Sequence, residues 1–205
     1  MRSITLLGHD TETLHKLASD CRMSFVTDTE FLDKDNFVTA DRHGNLRYIK
    51  RDVDSSKRLL PDLATKGRFH LGSKITIMDR TSADFNPIED HNRKRIIFFG
   101  TAEGEFGVVF KVDSDDLSKI KKLQNVLSNN YSNFHSLLKH MRYREFFDRT
   151  NEKVQMENFL DGNLLNIFED LDKNSQKDVA LKSDCPLKDI FRTLKQLDDE
   201  FSVNN

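Results

Sequence analysis

Histidines are the side chains of this 205-residue sequence best suited to acid–base chemistry or metal binding near neutral pH. No two of them form an H-E-x-x-H pair, and none lies in a recognisable nucleophile or metal motif. His70 lies between Phe69 and Leu71, which is typical of a strand residue whose ring is hydrogen-bonded rather than of a general base. The sequence therefore predicts no catalytic site at the histidines, which are His9, His15, His43, His70, His91, His135 and His140.

Residues 170–178 begin like a calcium-binding loop, with oxygen-bearing side chains at the first, third, fifth and ninth positions. The sixth position is Ser175, where the sharp turn of such a loop requires glycine, and the twelfth is Leu181, where a bidentate glutamate is required. We interpret this stretch as a polar linker between helices. No metal, cofactor or small-molecule substrate is expected.

Gly100, Gly104 and Gly107 lie within two runs of β-branched and aromatic residues at positions 96–112. A phosphate-binding loop is one alternative, but their spacing matches neither G-x-G-x-x-G nor G-x-x-x-x-G-K-[ST], and no helix start follows them. The pattern is typical of a strand, a tight turn and a second strand. These glycines are therefore predicted to serve a hairpin turn and close strand packing.

Two clusters of basic residues are candidates for contact with nucleic acid or a protein partner. The first, at 93–95, lies beside Glu89 and Asp90, so a solvated loop is the competing interpretation. The second, within 141–147, combines arginine and aromatic residues that are common at interfaces, although a segment packed on its own sheet explains it equally well. The candidate contact residues are Arg93, Lys94, Arg95, Arg142, Tyr143 and Arg144.

Composition narrows the class of protein without identifying it. Hydrophobic residues make up 37% and charged residues 32%, which is ordinary for a globular protein. Lysine and arginine total 32 against 34 for aspartate and glutamate, so no broad electrostatic attraction to nucleic acid or membrane is predicted. Cys21 and Cys185 are isolated, and no apolar run approaches the ~18 residues of a membrane span. We expect a soluble intracellular protein without an enzyme active site.

Residues 1–112 have the pattern of antiparallel β structure. Short apolar runs recur about every ten residues and are separated by Asp, Asn and Gly clusters, as in a sandwich, barrel or propeller. Two polar stretches, 52–66 and 79–94, are predicted to leave the sheet as loops. The first part of the chain is therefore expected to be a β domain.

Residues 113–205 have helical periodicity and are expected to form a small helical domain. An acidic run at 113–116 suits the start of the first helix. Asp161 is the predicted N-cap of a later helix, with Gly162 in its first turn. Further helices are predicted at about 175–181 and 186–201.

Five segments together resemble the C-terminal region of one family of large subunits. That family includes the cleavage and polyadenylation specificity factor large subunit, the damage-specific DNA-binding protein large subunit and the third subunit of splicing factor 3b. The segments lie in the family's order and rough spacing, and the resemblance covers nearly the whole chain. They are residues 31–46 (FLDKDNFVTADRHGNL), 69–72 (FHLG), 99–107 (FGTAEGEFG), 123–127 (LQNVL) and 159–165 (FLDGNLL).

The resemblance implies antiparallel β-propeller blades followed by a small C-terminal helical domain. The strands suffice for about two blades, so the propeller is expected to be incomplete. It also implies a nuclear, non-enzymatic scaffold that binds other protein subunits. Residues 41–46 and 123–127 favour the mRNA 3′-end processing or splicing members, and residues 69–72 favour an adaptor of a cullin-RING ubiquitin ligase in DNA repair.

Overall fold

A computed structural model describes residues 4–9, 13–20, 25–51, 63–80, 96–112, 114–130, 140–147, 153–154 and 156–199. The strands are β1 (Ile4–His9), β2 (Leu14–Asp20), β3 (Val26–Phe31), β4 (Asn36–Asp41), β5 (Asn45–Arg51), β6 (Leu63–His70), β7 (Ile75–Arg80), β8 (Ile96–Thr101), β9 (Phe106–Phe110), β10 (Phe146–Phe147) and β11 (Lys153–Val154). The helices are α1 (Ser114–Asn130), α2 (His140–Tyr143), α3 (Gly162–Asp170), α4 (Lys173–Ser183) and α5 (Leu187–Asp199). Strands β1 to β9 precede the first helix, and the two-residue strands β10 and β11 lie between α2 and α3. This order confirms the prediction of a mainly β and then α protein.

Every described sheet joins neighbouring strands of the chain in an antiparallel meander. The largest has four strands in the order β3-β4-β5-β6, and the next has three in the order β7-β8-β9. The pairs β1-β2 and β10-β11 form two-stranded sheets. The β3-β4, β4-β5 and β8-β9 connections are short polar turns, and a short turn joins only antiparallel neighbours.

The four-stranded sheet is buried on both faces. Phe37 pairs with Ile49, and both belong to an apolar cluster that includes Ala18 of β2. Val38 points to the opposite face and belongs to a second cluster that includes Ile97 of β8. Since successive side chains of a strand alternate between faces, β4 is buried on both sides and lacks the exposed face of a half-buried strand.

The start of β6 differs from the sequence expectation. The loop predicted over residues 52–66 overlaps this strand, which begins at Leu63 and pairs that residue with Arg51. The apolar signal in the sequence is weak because Leu63 and Ala64 are followed by the polar Thr65 and Lys66. Farther along β6, a Cβ atom on Gly67 would lie 3.1 Å from the backbone oxygen of Glu157, so glycine permits the close approach of that residue.

Four of the described helices share one apolar core. It contains side chains from α1, α3, α4 and α5, including Leu127, Phe168, Val179 and Ile190. α1 ends at Asn130, where two polar asparagines interrupt its apolar stripe. No helix in the described part of the chain is long and apolar enough to cross a membrane.

The chain divides into two compact units. The β unit comprises residues 1–111 and 144–159, and the helical unit comprises residues 112–143 and 160–205. The β unit thus includes a segment that follows the first helices in the chain. A domain boundary between residues 112 and 113 stays a proposal. Residues 144–159 would then belong to the β domain although they follow that boundary.

Candidate functional site

Arg142 and Tyr143 are presented by the short helix α2. Arg142 is exposed, and the Tyr143 side chain is 48% exposed. Two residues earlier, His140 Nε2 donates to Oδ2 of Asp161 at 2.7 Å, which holds α2 within the helical unit. Arginine and tyrosine are enriched among residues that dominate binding energy, and a fixed backbone lowers the entropy lost on binding. This pair is suited to contact a protein partner.

Arg144, the next residue, lies in a different environment. It is only 7% exposed, and its guanidinium donates to the backbone oxygens of His70 at 3.0 Å and Leu71 at 3.2 Å. Its guanidinium carbon also lies 4.4 Å from the centre of the Phe69 ring. These contacts give Arg144 a role in holding the β unit together, so the three consecutive candidates divide into two exposed residues and one buried residue.

A buried polar network joins the β4-β5 turn to the end of β6. Asp41 Oδ1 accepts hydrogen bonds from the backbone nitrogens of His43 at 2.9 Å and Asn45 at 3.2 Å. The Asn45 side-chain oxygen in turn lies 2.8 Å from Nδ1 of His70. Gly44, at φ 76°, occupies the left-handed position that this turn requires. The Asp and Asn residues of the turn therefore shape the hairpin rather than form a catalytic pair.

The surroundings of His70 favour the neutral form of its imidazole. Burial lowers its pKa below the ordinary value, the positive charge of Arg144 lowers the pKa further, and Asp41 partly opposes both effects. Its Nδ1 faces an amide oxygen, which is the arrangement of a structural donor. His70 thus has the satisfied ring that its position between apolar neighbours predicts.

Asp161 links three helices of the helical unit. Its side chain accepts from the backbone nitrogens of Asn163 and Leu164 at the start of α3, and from His140 of α2. Its own backbone nitrogen donates to Oε1 of Gln124 in α1 at 2.7 Å. The structure places Asp161 at the N-cap of α3, and Gly162, the first residue of that helix, is exposed.

The three glycines of the β8-β9 hairpin occupy different environments. Gly104 lies in the turn at φ 87°, where its amide donates to the Thr101 oxygen at 3.1 Å. Gly107 pairs with Phe99, whose ring occupies the space that a Cβ atom would need. A Cβ on Gly100 would lie 3.3 Å from Ile77. Turn geometry and close packing thus account for these glycines.

The described residues offer no arrangement of ligands for a metal ion. No group of three or more His, Cys, Asp or Glu side chains is gathered anywhere in the described part of the chain. Within the stretch that begins like a calcium loop, Asp172 caps α4 and accepts from Asn174 and Ser175. Cys185 is buried, and burial raises the pKa of its thiol, which disfavours the reactive thiolate. The basic candidates Arg93, Lys94 and Arg95 lie outside the described residues.

An exposed apolar face on the β7-β8-β9 sheet was not predicted from the sequence. Ile77 is 59% exposed and Phe106 is 73% exposed, although both belong to strands. The Phe106 ring stacks on Phe98, with the ring centres 5.4 Å apart. The continuous apolar run of β8 predicts that both faces of this strand are apolar, because successive side chains point to opposite faces. Only the tertiary structure shows that one of these faces is exposed.

Comparison with known proteins finds one matching family model and several relatives that share one name. A family model described as the CPSF A subunit region matches residues 1–170. The chain is 30% identical over 189 residues to DNA damage-binding protein 1 of Drosophila melanogaster, covering 88% of this chain and 16% of the relative. It is 27% identical over 203 residues to DNA damage-binding protein 1 of Solanum lycopersicum, covering 96% of this chain and 18% of the relative. The chain therefore spans less than a fifth of the length of these relatives.

Proposed function

The chain belongs to the CPSF A subunit family, and from this premise we propose that it is a non-enzymatic scaffold segment that binds other protein subunits in a nuclear complex. The observation that carries the proposal is the alignment of 88% and 96% of the chain with proteins named DNA damage-binding protein 1. We favour the role of an adaptor of a cullin-RING ubiquitin ligase in DNA repair. Arg142 and Tyr143 are the proposed contact residues in the helical unit.

The second candidate is a scaffold for mRNA 3′-end processing or splicing. It is favoured by the matching family model, whose description refers to the CPSF A subunit. Both candidates use the chain for binding rather than for a reaction, and they differ in the partners it recruits. The identity of those partners is therefore the discriminating measurement.

We further propose that the meander sheets are blades of a β-propeller. The four-stranded sheet has the strand number and order of one blade, and the three-stranded sheet packs against it through a shared apolar cluster. The open face that contains Ile77, Phe98 and Phe106 is suited to packing against a further sheet. A chain less than a fifth as long as its relatives supplies only part of such a propeller.

Direct contact with nucleic acid is an additional hypothesis, based on the charges of Arg93, Lys94, Arg95 and Arg142. Contacts to phosphate release counterions, so the affinity for DNA or RNA would fall steeply with salt concentration. Titration of a labelled duplex and a labelled single strand at several salt concentrations tests this hypothesis. A flat salt dependence, or no binding at low salt, removes it.

Affinity purification of the tagged full chain from nuclear extract, followed by mass spectrometry, tests the proposed function. Cullin and DNA-repair proteins support the adaptor role, and polyadenylation or splicing subunits support the second candidate. No enrichment over an untagged control contradicts both. Arg142→Ala and Tyr143→Ala should reduce partner recovery by about tenfold if these residues are binding hot spots.

Arg80→Ala is the matched control for Arg142→Ala, because it removes the same charge from an exposed position on β7. Recovery of partners should be unchanged in this variant. Equal recovery of partners by wild type, Arg142→Ala and Tyr143→Ala would show that α2 does not contact the partner. The proposed scaffold role would not be affected.

A further inference from the structure

One side of α5 carries exposed basic side chains and an exposed aromatic ring. Ile190, Thr193 and Leu194 face the core of the helical unit. Lys188, Phe191, Arg192 and Lys195 are exposed, and their spacing of three, four and seven residues places them on one side. We call these four residues the α5 cationic face.

Phe191 gives this face a fixed aromatic group. Its side chain is 40% exposed, yet its ring centre lies 5.3 Å from that of Phe168, which is completely buried. Contact with a buried ring restricts the movement of Phe191 before any partner arrives. A partner that covers it therefore gains apolar burial at a small cost in side-chain entropy.

The lysines of the face have charge available for a partner. Nη2 of the exposed Arg192 lies 3.4 Å from Oδ1 of the half-buried Asp189, one helical turn earlier. Among the residues that the structure describes, no ion pair involves Lys188 or Lys195. These two lysines are seven residues apart, which corresponds to about 10 Å along a helix.

The charge of the surrounding segment decides between two kinds of anionic partner. Carboxylates outnumber lysine and arginine across residues 160–199, and Asp198 and Asp199 lie at the end of α5 itself. This net negative charge disfavours a nucleic acid backbone most, because its binding depends on many phosphate contacts over a wide surface. A short protein segment needs only two or three carboxylates beside one apolar side chain, and this matches the α5 cationic face.

We propose that the α5 cationic face is a docking site for an acidic segment of a protein partner, in which an apolar residue covers Phe191 and carboxylates contact Lys188, Arg192 and Lys195. This surface is separate from Arg142 and Tyr143. The proposal rests on the proposed function only in that the chain binds a protein, and it holds for any complex that the chain joins. A defined peptide binds or fails to bind it whatever the full set of cellular partners is.

The test measures binding of a fluorescent peptide to the purified full chain by fluorescence anisotropy. The probe is a short synthetic peptide of glutamate, leucine and phenylalanine, and its control has glutamine in place of every glutamate. The double variant Lys188→Glu/Lys195→Glu should weaken binding of the acidic probe by at least about tenfold. The glutamine probe should bind weakly to both proteins.

The matched control is Lys173→Glu/Lys177→Glu, which makes the same change in net charge at two exposed positions of α4. It should leave the affinity within about twofold of wild type, with far-UV circular dichroism showing that both variants are folded. Equal weakening in the two double variants would overturn the proposal, as would no binding of the acidic probe to wild type. The proposal would also be overturned if a DNA duplex bound more tightly than the peptide and lost its binding in Lys188→Glu/Lys195→Glu.

Discussion

The guanidinium carbon of Arg144 lies 4.4 Å from the centre of the Phe69 ring, within the β unit. The same guanidinium donates to the backbone oxygens of His70 and Leu71, so one side chain fixes the end of β6 and the residue that follows it. Lysine carries the same charge but lacks the planar fork that makes stacking and paired hydrogen bonds compatible.

Arg144→Lys should therefore lower the free energy of unfolding by about 2 to 3 kcal/mol, because charge-assisted hydrogen bonds and the stacked contact are lost together. Urea unfolding followed by circular dichroism measures the change. Arg142→Lys makes the same substitution two positions earlier on an exposed side chain and should change stability by less than about 0.5 kcal/mol. Similar values for the two variants would show that Arg144 does not hold the β unit together.

His70 should make stability depend on pH. Its pKa is lowered in the folded state, so between that value and the ordinary pKa of about 6.5 the unfolded chain binds more protons. Stability contributed by the neutral ring is complete above the unfolded pKa, falls as the pH drops below it, and levels off below the folded pKa. Unfolding measured from pH 8 to pH 5 should show a shallower fall in stability for His70→Gln than for wild type, and an unchanged slope in His70→Gln would contradict this role of the ring.

Gly107 and Gly162 should respond in opposite directions to alanine. A Cβ at 107 would collide with the ring of Phe99, a core residue, so Gly107→Ala should destabilise the protein by about 1 to 3 kcal/mol. A Cβ at 162 meets no atom within 4 Å, at the first position of α3. Gly162→Ala should stabilise the protein by about 0.4 to 1 kcal/mol, since alanine restricts the unfolded chain more than glycine does. Thermal unfolding distinguishes the two signs, and a stabilising Gly107→Ala would show that Phe99 repacks without cost.

Asp161 should be the more costly of two helix caps. Asp161→Ala removes the cap of α3 and leaves His140 of α2 without its carboxylate, for an expected loss of about 2 to 3 kcal/mol. Asp172→Ala removes only the exposed cap of α4 and should cost clearly less than Asp161→Ala. Asp161→Asn retains a capping oxygen and should fall between them. Helix content followed during heating supplies the comparison, and equal costs at 161 and 172 would contradict the role of Asp161 in joining α2 to α3.

Local sequence was sufficient where neighbouring residues decide the structure. The turn near Gly104 follows from the backbone freedom of glycine, and the start of α3 follows from a carboxylate placed beside free amide groups. The succession of strands and then helices is visible for the same reason, because hydrophobic periodicity reflects local geometry. The sequence does not predict the weakly apolar start of β6, because that part of the strand is defined by the pairing of Leu63 with Arg51 and not by its own residue pattern.

The role of each candidate side chain was decided by residues distant in the chain. Arg142 and Arg144 are indistinguishable in sequence, yet Arg144 is buried because Phe69 and two backbone oxygens at positions 70 and 71 receive it. Phe106 and Phe99 both read as strand residues, but only Phe99 has a second sheet packed over it. Neighbouring residues thus account for the turns, caps and periodicity of this protein. Packing between distant segments selects which arginines and aromatic rings stay exposed, because burial depends on what packs against a side chain.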